Sequence, residues 1–314
     1  MTKTVSIAVS GVGGGVGQSI IKAFSKANYN VIGMDGEFLG TGLYAVHKGY
    51  KIPYAHEPDF IERVLEICLK EKCRLYFPGL DAELPILSKS IERFRVVGTT
   101  VIVSTPEVVE ICDNKLLTFR FLSKNNIPVP KTLDLDAFLI SKKALAYPII
   151  LKPKKGGARS KNVFLLKNRT DLDTILAYKD FTSDNFIVQE YIKGDEYTCG
   201  TINWDGRHLG TIIMRRILRD GDTYKCFVVK NKIIEQVIKK LMNILKPFGA
   251  CNIQLRLKGN IPYILEINAR CSGTTAARAL AGFNEAKMIA DYLIHGKYPK
   301  FHIKEISVLR YWKE

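Results

Sequence analysis

The stretch Ala250-Cys251-Asn252-Ile253-Gln254-Leu255-Arg256-Leu257, then Lys258-Gly259-Asn260, then Ile261-Pro262-Tyr263-Ile264-Leu265-Glu266-Ile267-Asn268-Ala269-Arg270, decides how this chain is read. Two apolar runs joined by a short polar link with a central glycine predict a β-hairpin. Side chains two apart on a strand share a face, so Glu266 and Asn268 point the same way. Gln254 on the partner strand can face them. One carboxylate and two amide oxygens are hard ligands. They suit Mg²⁺, which keeps waters and takes one or two carboxylates together with substrate phosphates. Arg270 follows at once, within reach of an anion. An exposed hairpin with polar tips would share this pattern, and two upstream segments separate the alternatives.

The first is Pro148-Ile149-Ile150-Leu151-Lys152-Pro153, a short apolar strand ending in a cation. The basic loop Lys154-Lys155-Gly156-Gly157-Ala158-Arg159-Ser160-Lys161-Asn162 follows, and then a second strand, Val163-Phe164-Leu165-Leu166. Gly156 and Gly157 let backbone N–H groups approach phosphate oxygens, which the lysines neutralise. No Gly-Lys-Ser/Thr closes the loop, so it is not a Walker P-loop. The second segment, Phe186 to Thr198, reads as a strand, a turn at Gly194 and another strand. Gln189 and Glu190 stand where the first of these strands ends. A purine edge needs an acceptor for its amino group and a backbone donor for a ring nitrogen, and such a segment offers both. Glu196 could accept from ribose hydroxyls, as carboxylates do at other nucleotide sites.

Taken in order, Lys115, Lys152, the 154–162 loop, the 189–196 segment, Gln254, Glu266, Asn268 and Arg270 resemble the ATP-grasp superfamily. Within it the chain is most similar to single ATP-grasp members of the carbamoyl-phosphate-synthase large-chain type, and the resemblance covers nearly the whole chain. It implies phosphate contacts from Lys115 and Lys152. Gln189 and Glu190, with the backbone of Tyr191 and Ile192, would hold adenine, and Glu196 the ribose. Gln254, Glu266 and Asn268 would bind Mg²⁺, with Mn²⁺ as an alternative ion. The family's phosphate loop often has Ser-x-Gly near its end. Here Ser160-Lys161-Asn162 stands instead, and Asn tolerates a left-handed backbone better than most residues.

The fold expected is α/β. A Rossmann-like parallel-sheet domain at 1–112 precedes a two-subdomain α+β ATP-grasp fold, with subdomains at 113–185 and 186–314. Val5–Ser10 is a strand, and Gly11-Val12-Gly13-Gly14-Gly15-Val16-Gly17 opens a helix over Gln18–Ala27. The next strand ends at Asp35, which imitates a dinucleotide fingerprint. A lone glycine-rich turn is weak evidence for NAD, and ATP-grasp proteins commonly carry such a unit for substrate. Asp81 and Glu83 follow the strand Arg74–Pro78, at the edge where open parallel sheets bind ligands. They are candidates to meet a cationic or hydroxyl-bearing substrate group. Further expectations are a strand within Arg95–Ser104, one helix over 106–125 and a hairpin at Asp205-Gly206. A helix over 274–295 and a closing strand, Ile306–Trp312, complete the set.

At 314 residues and 46% hydrophobic, the chain can bury a full core, so disorder is not expected. The net charge of +16 would suit nucleic acid, but basic residues are spread without an arm, a repeat or an aromatic ladder. A general lysine-rich bias together with an anionic small substrate explains the charge better. Seven cysteines form no Cys-x-x-Cys pair, and that fits reduced thiols. No apolar run spans a bilayer and no signal-peptide pattern opens the chain, so a cytoplasmic protein is expected. The function expected is an ATP- and Mg²⁺-dependent carboxylate–amine (or ammonia) ligase working through an acyl phosphate. Arg215 and Arg270 would anchor the acyl or γ-phosphate. Alternatives are a carbamoyl-phosphate-synthase-like subunit and a non-catalytic ATP or metabolite binder. Partners expected are small-molecule carboxylates and amines, with a separate amidotransferase subunit as an ammonia source, and a homodimer as the assembly.

Overall fold

The computed structural model describes residues 4–141, 145–157, 160–178, 181–182, 184–204 and 206–311. Ala158, Arg159, Asp205 and Trp312, parts of three of the expected segments, lie outside the described residues.

The first unit runs β1 (Val5–Val9), α1 (Gly15–Phe24), β2 (Tyr29–Asp35), β3 (Lys48–Lys51), α2 (Phe60–Lys70), β4 (Cys73–Phe77), α3 (Leu84–Lys89), α4 (Ile91–Val96) and β5 (Thr100–Val101). Its sheet is parallel, in the order β3-β2-β1-β4-β5. Ile7, Ala8 and Val9 are consecutive and fully buried. Such an unbroken apolar run marks a strand covered on both faces. The strand expected within Arg95–Ser104 shrinks to β5, because Ile91–Val96 is helical.

Helices α5 (Pro106–Asp113) and α6 (Lys115–Lys124) lead into a small antiparallel sheet. It comprises β6 (Thr132–Asp134), β7 (Ile149–Pro153), β8 (Phe164–Leu166) and β9 (Phe186–Glu190), with α7 (Leu135–Ile140) and α8 (Arg169–Tyr178) between strands. Their order is β6-β9-β7-β8. The single helix expected over 106–125 breaks at Asn114. That residue leaves the helical region (φ −101°, ψ 108°), and its side chain accepts from the N–H groups of Leu116 and Leu117. An Asn that satisfies two orphan donors starts a new helix.

A large antiparallel sheet follows: β10 (Asp195–Trp204), β11 (Arg207–Arg219), β12 (Asp222–Val228), β13 (Gly249–Lys258), β14 (Ile261–Asn268) and β15 (Ser307–Leu309). Its order is β14-β13-β10-β11-β12-β15. Between strands lie α9 (Lys232–Leu245), α10 (Thr275–Leu280) and α11 (Glu285–His295). The helix expected over 274–295 is thus two, separated at Gly282 with φ +89°. Phe186–Thr198 is no hairpin. Strand β9 pairs with β6 and β7, and β10 begins the large sheet. The small sheet therefore extends to Glu190 rather than ending before Phe186. At the crossing, a Cβ on Gly194 would lie 2.1 Å from the Leu257 carbonyl oxygen, so only glycine fits.

Helix α9 buries Ile234, Ile238, Leu241, Met242 and Leu245 against Cys199, Ile213, Ile253 and Leu255. Elsewhere the large sheet and the first unit share one core, in which Phe24 and Phe77 join Ile212, Phe283 and Ile289. Polar ties seal that junction. Tyr29 donates to Asp291 at 2.7 Å, and Asn284 donates to the Ala23 carbonyl at 2.7 Å. The first unit is thereby held against the large sheet, and its glycine turn faces the same opening as the β13–β14 hairpin.

Candidate nucleotide and metal site

A cleft of about 940 Å³ opens where the three sheets meet. The β13–β14 hairpin forms one wall in the expected register, with Gln254 opposite Glu266 and Asn252 opposite Asn268. Lys115 opens α6, where the Asn114 cap directs it inward. Its Nζ donates to the Gly156 carbonyl at 2.6 Å and lies 3.9 Å from Glu266 Oε1. Lys152, on β7, is buried, and its Nζ donates to Gln189 Oε1 at 2.8 Å. Gln189 Nε2 in turn donates to Thr132 at 2.8 Å. Burial, with Lys115 nearby, lowers the Lys152 ammonium to about 7. Gly156 and Gly157 have φ of +66° and +83°, and Ser160 and Asn162 are left-handed at +56° and +59°. Asn162 thus adopts the conformation that its tolerance of positive φ allows. Gly156, Gly157 and Ser160 all line the cleft.

Glu190, Tyr191 and Ile192 line the opening where β9 crosses to the large sheet. Arg256 braces this crossing: it lies 5.2 Å over the Tyr191 ring and donates to the Ile192 carbonyl at 3.0 Å. Its Nε and Nη2 also reach Glu196 Oε2 at 3.2 and 3.0 Å. Arg216 gives Nε and Nη2 to Glu196 Oε1 at 3.2 and 2.6 Å. A carboxylate has about four lone-pair sites, and here two arginines take them all. Glu196, expected at the ribose, lines the cleft with both oxygens engaged by arginines. Gln189, expected at the adenine, is likewise engaged through its amide by Lys152 and Thr132.

Three further expected residues and the acid of the fingerprint are placed as follows. Arg215 pairs with Tyr197 across β10 and stacks on Phe227 at 4.8 Å. Strand alternation turns it away from the cleft, and its neighbour Arg216 turns in. Asp81 lines the cleft but is bound by Arg270 Nη2 of the same chain. Glu83 is 2% exposed and accepts from Ser10 at 2.5 Å, away from the opening. Burial lifts its carboxyl to about 7. Asp35, the acid that completes the dinucleotide pattern, accepts from the Gly13 and Glu37 N–H groups at 2.6 and 2.9 Å. It stabilises the glycine turn itself. At Gly17 a Cβ would lie 2.3 Å from the Gly11 carbonyl oxygen, so this glycine serves close packing.

Arg270 sits at the cleft floor. Its Nη1 donates to the Cys271 carbonyl at 2.8 Å and its Nη2 to Asn268 Oδ1 at 3.3 Å. Burial opposes its charge, but Asp81 and Glu266 outweigh that and keep the guanidinium protonated. Behind the floor, Arg278 is 1% exposed. It donates to Asn252 Oδ1, Thr198 Oγ1 and Glu285 Oε1 at 2.5, 3.2 and 3.0 Å. Arg216, Arg256 and Arg278 carry no motif of their own. Only the parity of β11 against β10 could have pointed to the first.

Among the described residues no three of His, Cys, Asp or Glu come together as a metal site. A cation in the cleft would rest on Glu266 with amide oxygens, waters and phosphate, a set that fits Mg²⁺. Among the described residues, no helix is long and apolar enough to cross a membrane.

Residues 182–313 match the family model "ATP-grasp in the biosynthetic pathway with Ter operon", and residues 7–102 match "PylC-like, N-terminal domain". The later part of the chain is thus similar to ATP-grasp proteins and its first part to PylC-like N-terminal domains. It is 26% identical to D-alanine–D-alanine ligase A of Bacillus cereus over 254 residues, 72% of this chain and 83% of that one. It is 23% identical to the carbamoyl phosphate synthase large chain of Clostridium acetobutylicum, over 80% of this chain but only 24% of that one. The fold matches that of N5-carboxyaminoimidazole synthetase from Staphylococcus aureus, solved with ADP. The TM-score is 0.75 at 14% identity, over 96% of this chain and 81% of that one.

Proposed function

We propose that this chain is an ATP-dependent ligase that joins a carboxylate to an amine or ammonia through an acyl phosphate. The observation that carries this reading is the convergence of Lys115, Lys152, Glu266 and Asn268 on one cleft, with a left-handed glycine loop beside them. The triphosphate would lie against the two lysines and the 154–162 loop. Adenine would meet the backbone of Glu190, Tyr191 and Ile192. Glu266 and Asn268 would hold Mg²⁺, which supplies neutralising charge to the phosphates. Arg270, fixed by Asp81, would face the phosphoryl group in transit.

Phosphoryl transfer concentrates charge on oxygen, so fixed cations do most of the catalytic work and little covalent help is needed. A substrate carboxylate oxygen bonds to the γ-phosphorus, and the bond to the β,γ-bridging oxygen breaks, its electron pair leaving with ADP. The amine nitrogen then bonds to the acyl carbon, and the carbon–oxygen bond to phosphate breaks. Phosphate leaves with that pair, and the nitrogen loses a proton to phosphate or solvent. A separate amidotransferase subunit would supply ammonia if ammonia is the acceptor, and Mn²⁺ would replace Mg²⁺. The proposed division of the chain is 1–112, 113–190 and 191–314, since β9 belongs to the small sheet. A reducing, cytoplasmic setting is proposed because all seven cysteines are buried free thiols.

Thermal shift and ADP release test the reading together. A ligand that binds only the native state at a hundred times its Kd stabilises by about 2.7 kcal/mol. Mg-ATP is expected to raise the melting temperature and NAD is not. ADP release should require both a carboxylate and an amine from a substrate panel. Glu266→Gln should lower turnover on the order of 10²-fold, as does loss of a main charge stabiliser. A shift with NAD and none with Mg-ATP overturns the proposal.

A further inference from the structure

Gln254 has one atom able to ligate a metal ion, Oε1. That oxygen accepts a hydrogen bond from Arg216 Nη2 at 2.7 Å. The guanidinium is fixed from other sides as well, by Glu196 and by Thr223 Oγ1 at 3.4 Å from Nη1. Its side chain is only 9% exposed. An Mg²⁺ ion bound to Gln254 at the usual distance of about 2.1 Å would lie within about 5 Å of that guanidinium nitrogen. In a half-enclosed cleft such like charges repel with little screening. Glu196 does not cancel the charge, because it is shared with Arg256: one carboxylate faces two guanidiniums.

The other two oxygen ligands differ. Asn268 Oδ1 is 3.3 Å from Arg270, whose charge is matched one-to-one by Asp81. Glu266 has Lys115 as its ion-pair neighbour, at 3.9 Å.

Resting on the reading of this cleft as a metal–nucleotide site, the geometry points to a cation held by Glu266 and Asn268 without Gln254. Arg216 supplies the positive charge on the Gln254 side of the phosphates. Gln254 and Glu196 are then positioning residues: their oxygens fix the guanidinium. This departs from the three-residue metal set that the order of the motif implies, and it gives Arg216 a task that its sequence does not reveal.

Direct cation binding tests it, with Mn²⁺ as the probe. Free Mn²⁺ is followed by electron paramagnetic resonance in the full chain saturated with the β,γ-imido analogue of ATP. Wild type is expected to take up one Mn²⁺ per bound nucleotide. Gln254→Ala should leave the Mn²⁺ affinity unchanged, whereas Glu266→Gln should weaken it by about 10–100-fold, the range for disrupting a metal's supporting groups. Gln254→Met keeps the side-chain length and removes the oxygen, so it makes the same distinction should the alanine variant not fold. Uptake of two Mn²⁺, or a loss in the folded Gln254 variant comparable to that in Glu266→Gln, overturns the inference and leaves the nucleotide reading standing. If wild type takes up no Mn²⁺ with the analogue, that reading fails and the inference falls with it.

Discussion

Lys152 shows how a single residue ties burial to ligand chemistry. Its ammonium is removed from water and lies near Lys115, and these two causes lower it from 10.5 to about 7. Glu266 and Glu196 oppose the fall without preventing it. The sign for stability follows. Between about 7 and 10.5 the unfolded chain holds the proton that the folded chain has lost, so this residue's contribution to stability rises with pH across that window. For binding the sign reverses. A triphosphate beside Lys152 favours the charged form, so above pH about 7 binding must take up a proton. ATP-analogue affinity is expected to fall as pH rises above neutrality, by at most about tenfold per unit for one coupled proton. Lys152→Met should bind more weakly and lose the slope. Calorimetry in buffers of different ionisation heat checks the proton uptake. A wild-type affinity that is flat from neutral to alkaline pH would show that Lys152 does not couple to the ligand.

Two helices of this molecule start on the same device but carry different duties. Asn114 caps α6 and Asn231 caps α9, each accepting from two backbone N–H groups. Replacing either by alanine should cost about 1 kcal/mol, the usual loss for such a cap. Their functional consequences should diverge. Helix α6 begins with Lys115, whose Nζ reaches the glycine loop. Helix α9 lies behind the large sheet, against its core. Asn114→Ala is therefore expected to weaken nucleotide binding as well as stability, and Asn231→Ala stability alone. Urea unfolding and a nucleotide titration on both variants decide. Equal binding losses would mean that Lys115 is held by its own contacts and not by the helix start.

Across the whole molecule, the cleft floor depends on a buried ion pair directly behind it. Arg278 on α10 and Glu285 on α11 are 1% and 0% exposed, and Arg278 also grips β10 and β13 through Thr198 and Asn252. Each partner leaves one polar atom without a hydrogen bond, Arg278 Nε and Glu285 Oε2. Removing one member of such a pair strands the other charge and costs about 3–5 kcal/mol. Glu285→Ala should fall in that range. Arg278→Met/Glu285→Leu should lose less than the sum of its single changes, because no lone charge remains. Urea denaturation with a double-mutant cycle measures the coupling. Strict additivity would mean that the two side chains act independently.

Much of this organisation is local in origin. Apolar runs with a short polar link specify the β13–β14 hairpin, and alternation along a strand aligns Glu266 with Asn268 whatever the rest of the fold does. The order of lysines, glycine loop and hairpin was legible for the same reason. Other features depend on partners far along the chain. Arg215 and Arg216 are adjacent, and nothing local says which of them faces the cleft until β11 pairs with β10. Glu196 reads as a ribose acceptor by its position, yet its two arginines stand 20 and 60 residues away. Asp81 and Glu83 look alike in sequence. Tertiary packing leaves the first at the cleft beside Arg270 and buries the second beside Ser10. Periodicity and turn chemistry act over a few residues and are written in the sequence. The face a strand turns to the cleft, and the charges that meet there, follow from long-range pairing, which only the folded chain decides.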